Sequence, residues 1–134
     1  MRYAITTTVD APFDQTLAAT HDALADRGFG VLTEIDPAAT LKAKVGADIA
    51  PRVILGACRP QLAEQAVAVE ASIGLLLPCN VVVRADGDDG RTIVEAVDPG
   101  MMVGVTGNEG LQAVAQEADT RLRAALEAIP THIA

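Results

Sequence analysis

Cys58 and Cys79 are the only thiols in the chain, and each stands beside a proline at the edge of an apolar run, "RVILGACRP" for the first and "GLLLPCNVVV" for the second. A thiol becomes chemically useful as the thiolate, which attacks disulfides, accepts sulfur and binds soft ions, so its surroundings decide between chemistry and mere packing. Pro60 suits the first turn of a helix. That would set Cys58 at the helix N-terminus, where free backbone N–H groups and the adjacent Arg59 favour negative charge. Cys79 follows Pro78 at the start of the next apolar run. If the strand ending at Cys58 and the strand starting at Cys79 are antiparallel neighbours, the two thiols meet at one edge of a sheet. The following strand then returns "DPGMM", Asp98 to Met102, to the same edge. The expected cluster is Cys58, Cys79, Met101 and Met102 as soft sulfur donors, with Asn80 and Asp98 hydrogen-bonding around it.

Three uses of the thiols stay open on this reading. They are small buried apolar groups, or a reversible dithiol or reactive thiol, or ligands of a soft ion such as Cu(I) or Zn(II). The chain has no CxxC and no histidine spaced as a zinc partner. The function expected is a binding or redox-sensing module with its site at Cys58 and Cys79, taking a small ligand or soft metal. Cys58 is the more activated thiol, Cys79 its partner, Asn80 an orienting donor and Met101 or Met102 a soft lid. The alternatives are an enzyme using Cys58 as nucleophile in thiol or sulfur-transfer chemistry, and a structural homodimer whose cysteines only pack.

Other residue groupings carry less. His21 falls on the apolar stripe of a helix and reads as a packed side chain, and His132 lies too near the end of the chain to be assigned a role. "DGDDG" (Asp86 to Gly90) clusters acids around glycine, but a calcium loop starting there would need its twelfth-position acid at Val97, so it reads as a hairpin turn. "GVTGNEG" (Gly104 to Gly110) is glycine-rich but holds no Lys or Arg to grip phosphate, and a helix cap accounts for it. No Ser-His-Asp order or carboxylate pair stands out.

The elements that must position the thiols follow from periodicity. Residues 2–9 alternate as a strand with Tyr3, Ile5, Thr7 and Val9 on one face. Residues 12–27 form a helix striped by Phe13, Leu17, His21 and Leu24, capped by Gly28 with Phe29 folding back. "GVLTEI" is a second strand. Asp36-Pro37 opens a short peripheral helix carrying Leu41 and Val45 and stopping at Gly46. "RVILGAC" is the third strand, residues 60–70 a helix aligned on Leu62, Ala66 and Val69, and "CNVVVRA" and "RTIVEAV" a hairpin. Thr106-Gly107-Asn108-Glu109 has the spacing of a capping box. It precedes a helix striped by Leu111, Val114, Ala118, Leu122, Ala125 and Ile129, with Gln116, Glu117, Arg121 and Glu127 off the stripe and Pro130 at its end. The order β-α-β-(α)-β-α-β-β-α predicts an α+β fold, a largely antiparallel sheet of about five strands with two long helices on one face.

The chain's 134 residues suit one domain, residues 1–134, and half are hydrophobic, yet there is no Trp, one Tyr and two Phe, so Val, Leu, Ile and Ala must fill the core. A formal charge of −8 repels phosphate backbones, which sets nucleic acid aside as a partner. No stretch approaches the roughly 20 apolar residues of a membrane span or has a signal-peptide core, so a soluble, cytoplasmic protein with free thiols is expected.

Gly56, Cys58, Pro60 and Leu62, followed by "GLLLPCNVVV" and "VDP" (Val97 to Pro99), resemble the bacterial and archaeal domain of unknown function 302 family, and "RGFGVLTEID" (Arg27 to Asp36) is similar to its first helix-to-strand junction. The resemblance runs from about Tyr3 to Ile129. It implies a small α+β fold of the TATA-binding-protein-like class, with helices on a curved antiparallel sheet, and a tendency to homodimerise. Its motif falls on Gly56, Cys58, Pro60, Pro78, Cys79 and Asn80, which mark the expected ligand site, and brings no activity with it.

Overall fold

The computed structural model describes residues 2–87 and 90–133. Five strands, β1 (Ala4–Val9), β2 (Gly30–Ile35), β3 (Arg52–Cys58), β4 (Cys79–Asp86) and β5 (Arg91–Val97), form one sheet in the order β1-β5-β4-β3-β2, with every neighbouring pair antiparallel. Five helices accompany it: α1 (Phe13–Asp26), α2 (Pro37–Val45), α3 (Pro60–Val69), α4 (Met101–Thr106) and α5 (Gln112–Ala128). No helix among the described residues is long and apolar enough to cross a membrane.

Period-two alternation gives the sheet its two faces. Val53, Leu55 and Ala57 of β3, Cys79, Val81 and Val83 of β4, and Val94 and Ala96 of β5 are buried beneath α1 and α5. The other face carries Ile54, Val82 and Ile93, all half-buried, among Arg84, Glu95 and Asn80. With so few aromatics, these layers close on small aliphatic side chains, and Ala19, Ala23 and Ala125 let the helices lie close to the strands.

The expected stripe of α1 is turned from the observed one. Its buried residues are Thr16, Ala19, Thr20, Ala23 and Leu24, while Phe13 and Leu17 pack at the margin. Two threonines tolerate burial because their hydroxyls are satisfied at once: Thr20 donates to the Thr16 carbonyl at 2.7 Å and Thr16 to the Ala11 carbonyl at 3.4 Å. His21 therefore sits at the edge, 2.8 Å from Glu34 of β2, rather than in the core. Tyr3 lies before β1 and is exposed. Arg27 and Gly28 end α1 as expected. Gly28 adopts φ +84°, its N–H donates to Ala25, and that of Phe29 donates to Leu24, with the Phe29 ring buried.

Asp36 caps α2 through a 2.9 Å bond from the Ala39 N–H, and the helix buries no residue. Val69, expected on the buried stripe of α3, is exposed, whereas Leu62 and Ala66 are buried. Asp88 and Asp89 of the expected hairpin turn lie outside the described residues; Asp86 pairs with Arg91 at the end of the β4–β5 ladder. Two differences follow β5. Met101–Thr106 coils into α4, a six-residue helix too short and too rich in valine and glycine to stand out by periodicity. The capping box is not formed either, because Thr106 ends α4 with its hydroxyl donating to the Met102 carbonyl, and Asn108 takes the cap by accepting from the Gly110 N–H at 2.9 Å. Beyond it, all six residues of the expected α5 stripe are buried.

Candidate functional site

Two hydrophobic clusters meet at one end of the sheet. The larger lies between strands and the helices α1 and α5. The smaller joins Leu62 and Ala66 of α3 to Met102 of α4 and Val114, Ala115 and Ala118 of α5. Leu77, just before β4, packs against both. The chain reaches this junction twice. β3 ends at Cys58, Arg59 takes the N-cap of α3 without a side-chain cap bond, and Pro60 opens the helix; β4 begins at Cys79. Cys79 pairs with Ala57 across the β3–β4 ladder, and Cys58, one residue further along, is the last residue of β3 and pairs with Gly30 of β2.

Both cysteines line one small cavity of about 20 Å³, with Phe29, Leu62, Leu77 and Met102 among its walls. A space of that size holds roughly one water molecule. The two thiols differ in access. Cys79 is buried and Cys58 half-buried, and both are free. Burial pushes the Cys79 thiol up to about 11, and charge on Cys58 pushes it the same way, so at neutral pH Cys79 stays protonated.

The remaining expected residues divide between the two faces of the sheet. Met102 is buried and borders the cavity, whereas Met101, one residue earlier, does not line it. Asn80 points to the opposite face by strand alternation, where it and Pro78 border a surface groove with Val97. Gly56 pairs with Asn80 on that face and packs against Pro78: a Cβ there would overlap Thr33 Oγ1 and come within 2.9 Å of Pro78 Cγ. Pro60 is exposed in the first turn of α3. Asp98 shapes the turn into α4, its Oδ1 accepting from the Gly100 N–H at 2.8 Å, with Oδ2 4.0 Å from Arg123. His132 meets Asp26 at 3.0 Å.

Sequence reasoning missed Arg121. It sits off the apolar stripe of α5, where charge ordinarily means solvent, and only the packing of α5 against the α1–β2 junction carries it over the Arg27–Gly28 turn, next to the cavity-lining Arg59. Its Nη1 donates to the Arg27 carbonyl at 3.1 Å, and Gly28 leaves room for the guanidinium of Arg59 beside it.

An open five-stranded antiparallel sheet with helices packed on it defines a small α+β protein, in which two cysteines and a methionine line one cavity at the end of the sheet. The chain belongs to the family described as domain of unknown function DUF302, whose family model matches residues 5–129. Its fold is similar to that of the crystal structure of an uncharacterized conserved DUF302 protein from Bacillus stearothermophilus, 30% identical, with a TM-score of 0.86 and coverage of 95% of this chain and 98% of that one. No curated protein matches the sequence.

Proposed function

We propose that this protein is a thiol-redox sensing module, working as a homodimer, in which Cys58 is the entry thiol and Cys79 the resolving one. The observation that carries the reading is the shared cavity: a half-buried and a buried cysteine both line the same water-sized space where β3 ends and β4 begins. The Cys58 thiolate attacks one sulfur of an incoming disulfide, and the other sulfur leaves as a thiolate with the bonding pair. Cys79 then gives up its proton, attacks the Cys58 sulfur of the mixed disulfide and expels the second thiolate. The protein loses two electrons and two protons, and the incoming disulfide becomes two thiols. A high pKa at Cys79 suits the second step only, because a protonated buried thiol waits until a neighbouring leaving thiolate can take its proton.

The test uses the neutral reagent 2-hydroxyethyl disulfide and mass spectrometry. Wild type is expected to end two hydrogens lighter with no adduct, Cys79→Ala to stop at a single adduct on Cys58, and Cys58→Ala to stay unmodified in the native state. Wild type that stops at the Cys58 adduct, with Cys79 still reduced, overturns the resolving role.

Met102 supports a second reading, since its thioether borders the same cavity as the two thiols. Among the described residues no three His, Cys, Asp or Glu side chains gather as metal ligands, so an ion here would rest on three sulfurs, a set that suits Cu(I) better than Zn(II). Stoichiometric Cu(I) uptake that weakens in Met102→Leu supports it, and uptake indifferent to Met102 counts against it.

A further inference from the structure

We infer that the rim of the thiol cavity is an oxyanion-binding site, built by Arg59 and Arg121, that selects low-molecular-weight disulfides carrying a carboxylate or similar anionic group for attack by Cys58. This rests on the thiol-redox reading for its chemistry and adds to it the class of the reacting partner.

The geometry begins at Gly28. A Cβ at that position would overlap Nη1 of Arg59, and Nη1 of Arg121 lies 3.9 Å from the same point, so two guanidinium groups crowd over one glycine. Like charges at such range repel, and a folded chain ordinarily places a carboxylate between them. Arg121 has a partial answer: its Nη1 donates to the Arg27 carbonyl at 3.1 Å and its Nη2 lies 3.4 Å from Glu117 Oε1. Arg59 has none. Among the described residues its side chain makes no hydrogen bond or ion pair, and its Nε is buried without an acceptor, as is that of Arg121. In a chain with 18 acidic and 10 basic residues no carboxylate among the described residues pairs with Arg59, and its buried Nε lacks the acceptor that a bound oxyanion would supply.

Position links the unmet charge to the thiol. Arg59 follows Cys58 directly, lines the same cavity and is the N-cap of α3, whose first turn has no side-chain cap. An oxyanion held by the two forks would sit beside Cys58, with the ligand's sulfur toward the cavity. The cavity itself is too small for more than that sulfur, which leaves the rest of the ligand at the rim.

The test compares reaction rates of Cys58 with 5,5′-dithiobis(2-nitrobenzoate), a dianionic disulfide, and cystamine, a dicationic one, at fixed ionic strength, each normalised to the urea-unfolded chain. Wild type is expected to favour the anionic reagent by ~10-fold over the unfolded reference, Arg59→Gln to lose that preference while its rate with cystamine holds or rises, and Arg59→Lys to keep part of it. Sulfate is expected to slow the anionic reagent in wild type and not in Arg59→Gln. Equal preference in folded wild type and unfolded chain, or a preference unchanged in Arg59→Gln, overturns the site. Arg121→Gln gives the same reading through a second residue, and unchanged thermal midpoints show that the variants are folded. The initial adduct rate reports the anion site whether or not Cys79 later resolves the adduct, so failure here and failure of the dithiol reading are separate results.

Discussion

A cysteine walled by Leu, Phe and Met has nowhere to place a negative charge, and Cys79 registers this as a thiol pushed up to about 11. The sign of the stability effect follows. Below about pH 8.5 the thiol is protonated in folded and unfolded chains alike and contributes nothing. Above that the unfolded chain ionises first while the folded chain keeps its proton, so stability falls as pH climbs toward 11. The loss reaches ~3 kcal/mol, from roughly 1.4 kcal/mol per pKa unit. Urea unfolding at pH 8 and pH 11 under reductant, in wild type and in Cys79→Val, measures it. The apolar, non-ionising valine is expected to remove that part of the alkaline loss, and an equal loss in both proteins would contradict it. Cys79 as a buried apolar neighbour was legible from its place in "LPCNVVV". That Asn80 turns away from it was also legible, because alternation in a strand starting at Cys79 demands it, yet the expected cluster placed Asn80 beside the thiols.

The elements hold the site through close approach more than through polar contacts. β2, β3 and the Pro78 ring converge on Gly56, where no side chain fits. Gly56→Ala is expected to cost on the order of 2 kcal/mol in urea unfolding, because the proline ring cannot yield as a long side chain can. Adding Thr33→Ala should recover part of the loss by removing the hydroxyl that the new methyl would overlap. An unchanged Gly56→Ala midpoint would mean that this packing is looser than described. At this scale the strands and the long α5 were readable because each repeats its period over several residues. The buried face of α1 was misread for a physical reason: Thr16 and Thr20 count as polar by type, yet a hydroxyl bonded to a carbonyl within its own helix or its lead-in can be buried like an alanine. α4 has too few residues to display any period.

For the whole molecule, the open sheet face differs from the rest of the surface. Its apolar positions, Ile54, Val82 and Ile93, adjoin the exposed Ile35 at the β2 edge. Arg84 meets Glu95 at 3.0 Å on this face while Thr6 also bonds Glu95, and Arg52 lies opposite Arg84 with its Nε buried and without a partner among the described residues. In a chain of net charge −8, this is the face on which two copies would meet with least repulsion, and a two-fold pairing there is the form proposed for the homodimer. Sedimentation equilibrium is expected to give twice the chain mass in wild type and a shift toward monomer in Val82→Glu. A wild-type monomer at micromolar concentration, or a dimer untouched by Val82→Glu, speaks against this face.

Periodicity, caps and turn residues are local, so the chain's order of strands and helices apart from α4, its α+β class and the likeness of its motifs to one family were determined by the sequence alone. The strand order β1-β5-β4-β3-β2, the meeting of Cys58, Cys79 and Met102 at one cavity, and the crowding of Arg59 and Arg121 over Gly28 were decided only by the tertiary structure. Each of these depends on which surfaces bury one another across distant stretches of chain, and that choice is made by the packing of the whole core rather than by any residue's neighbours in sequence.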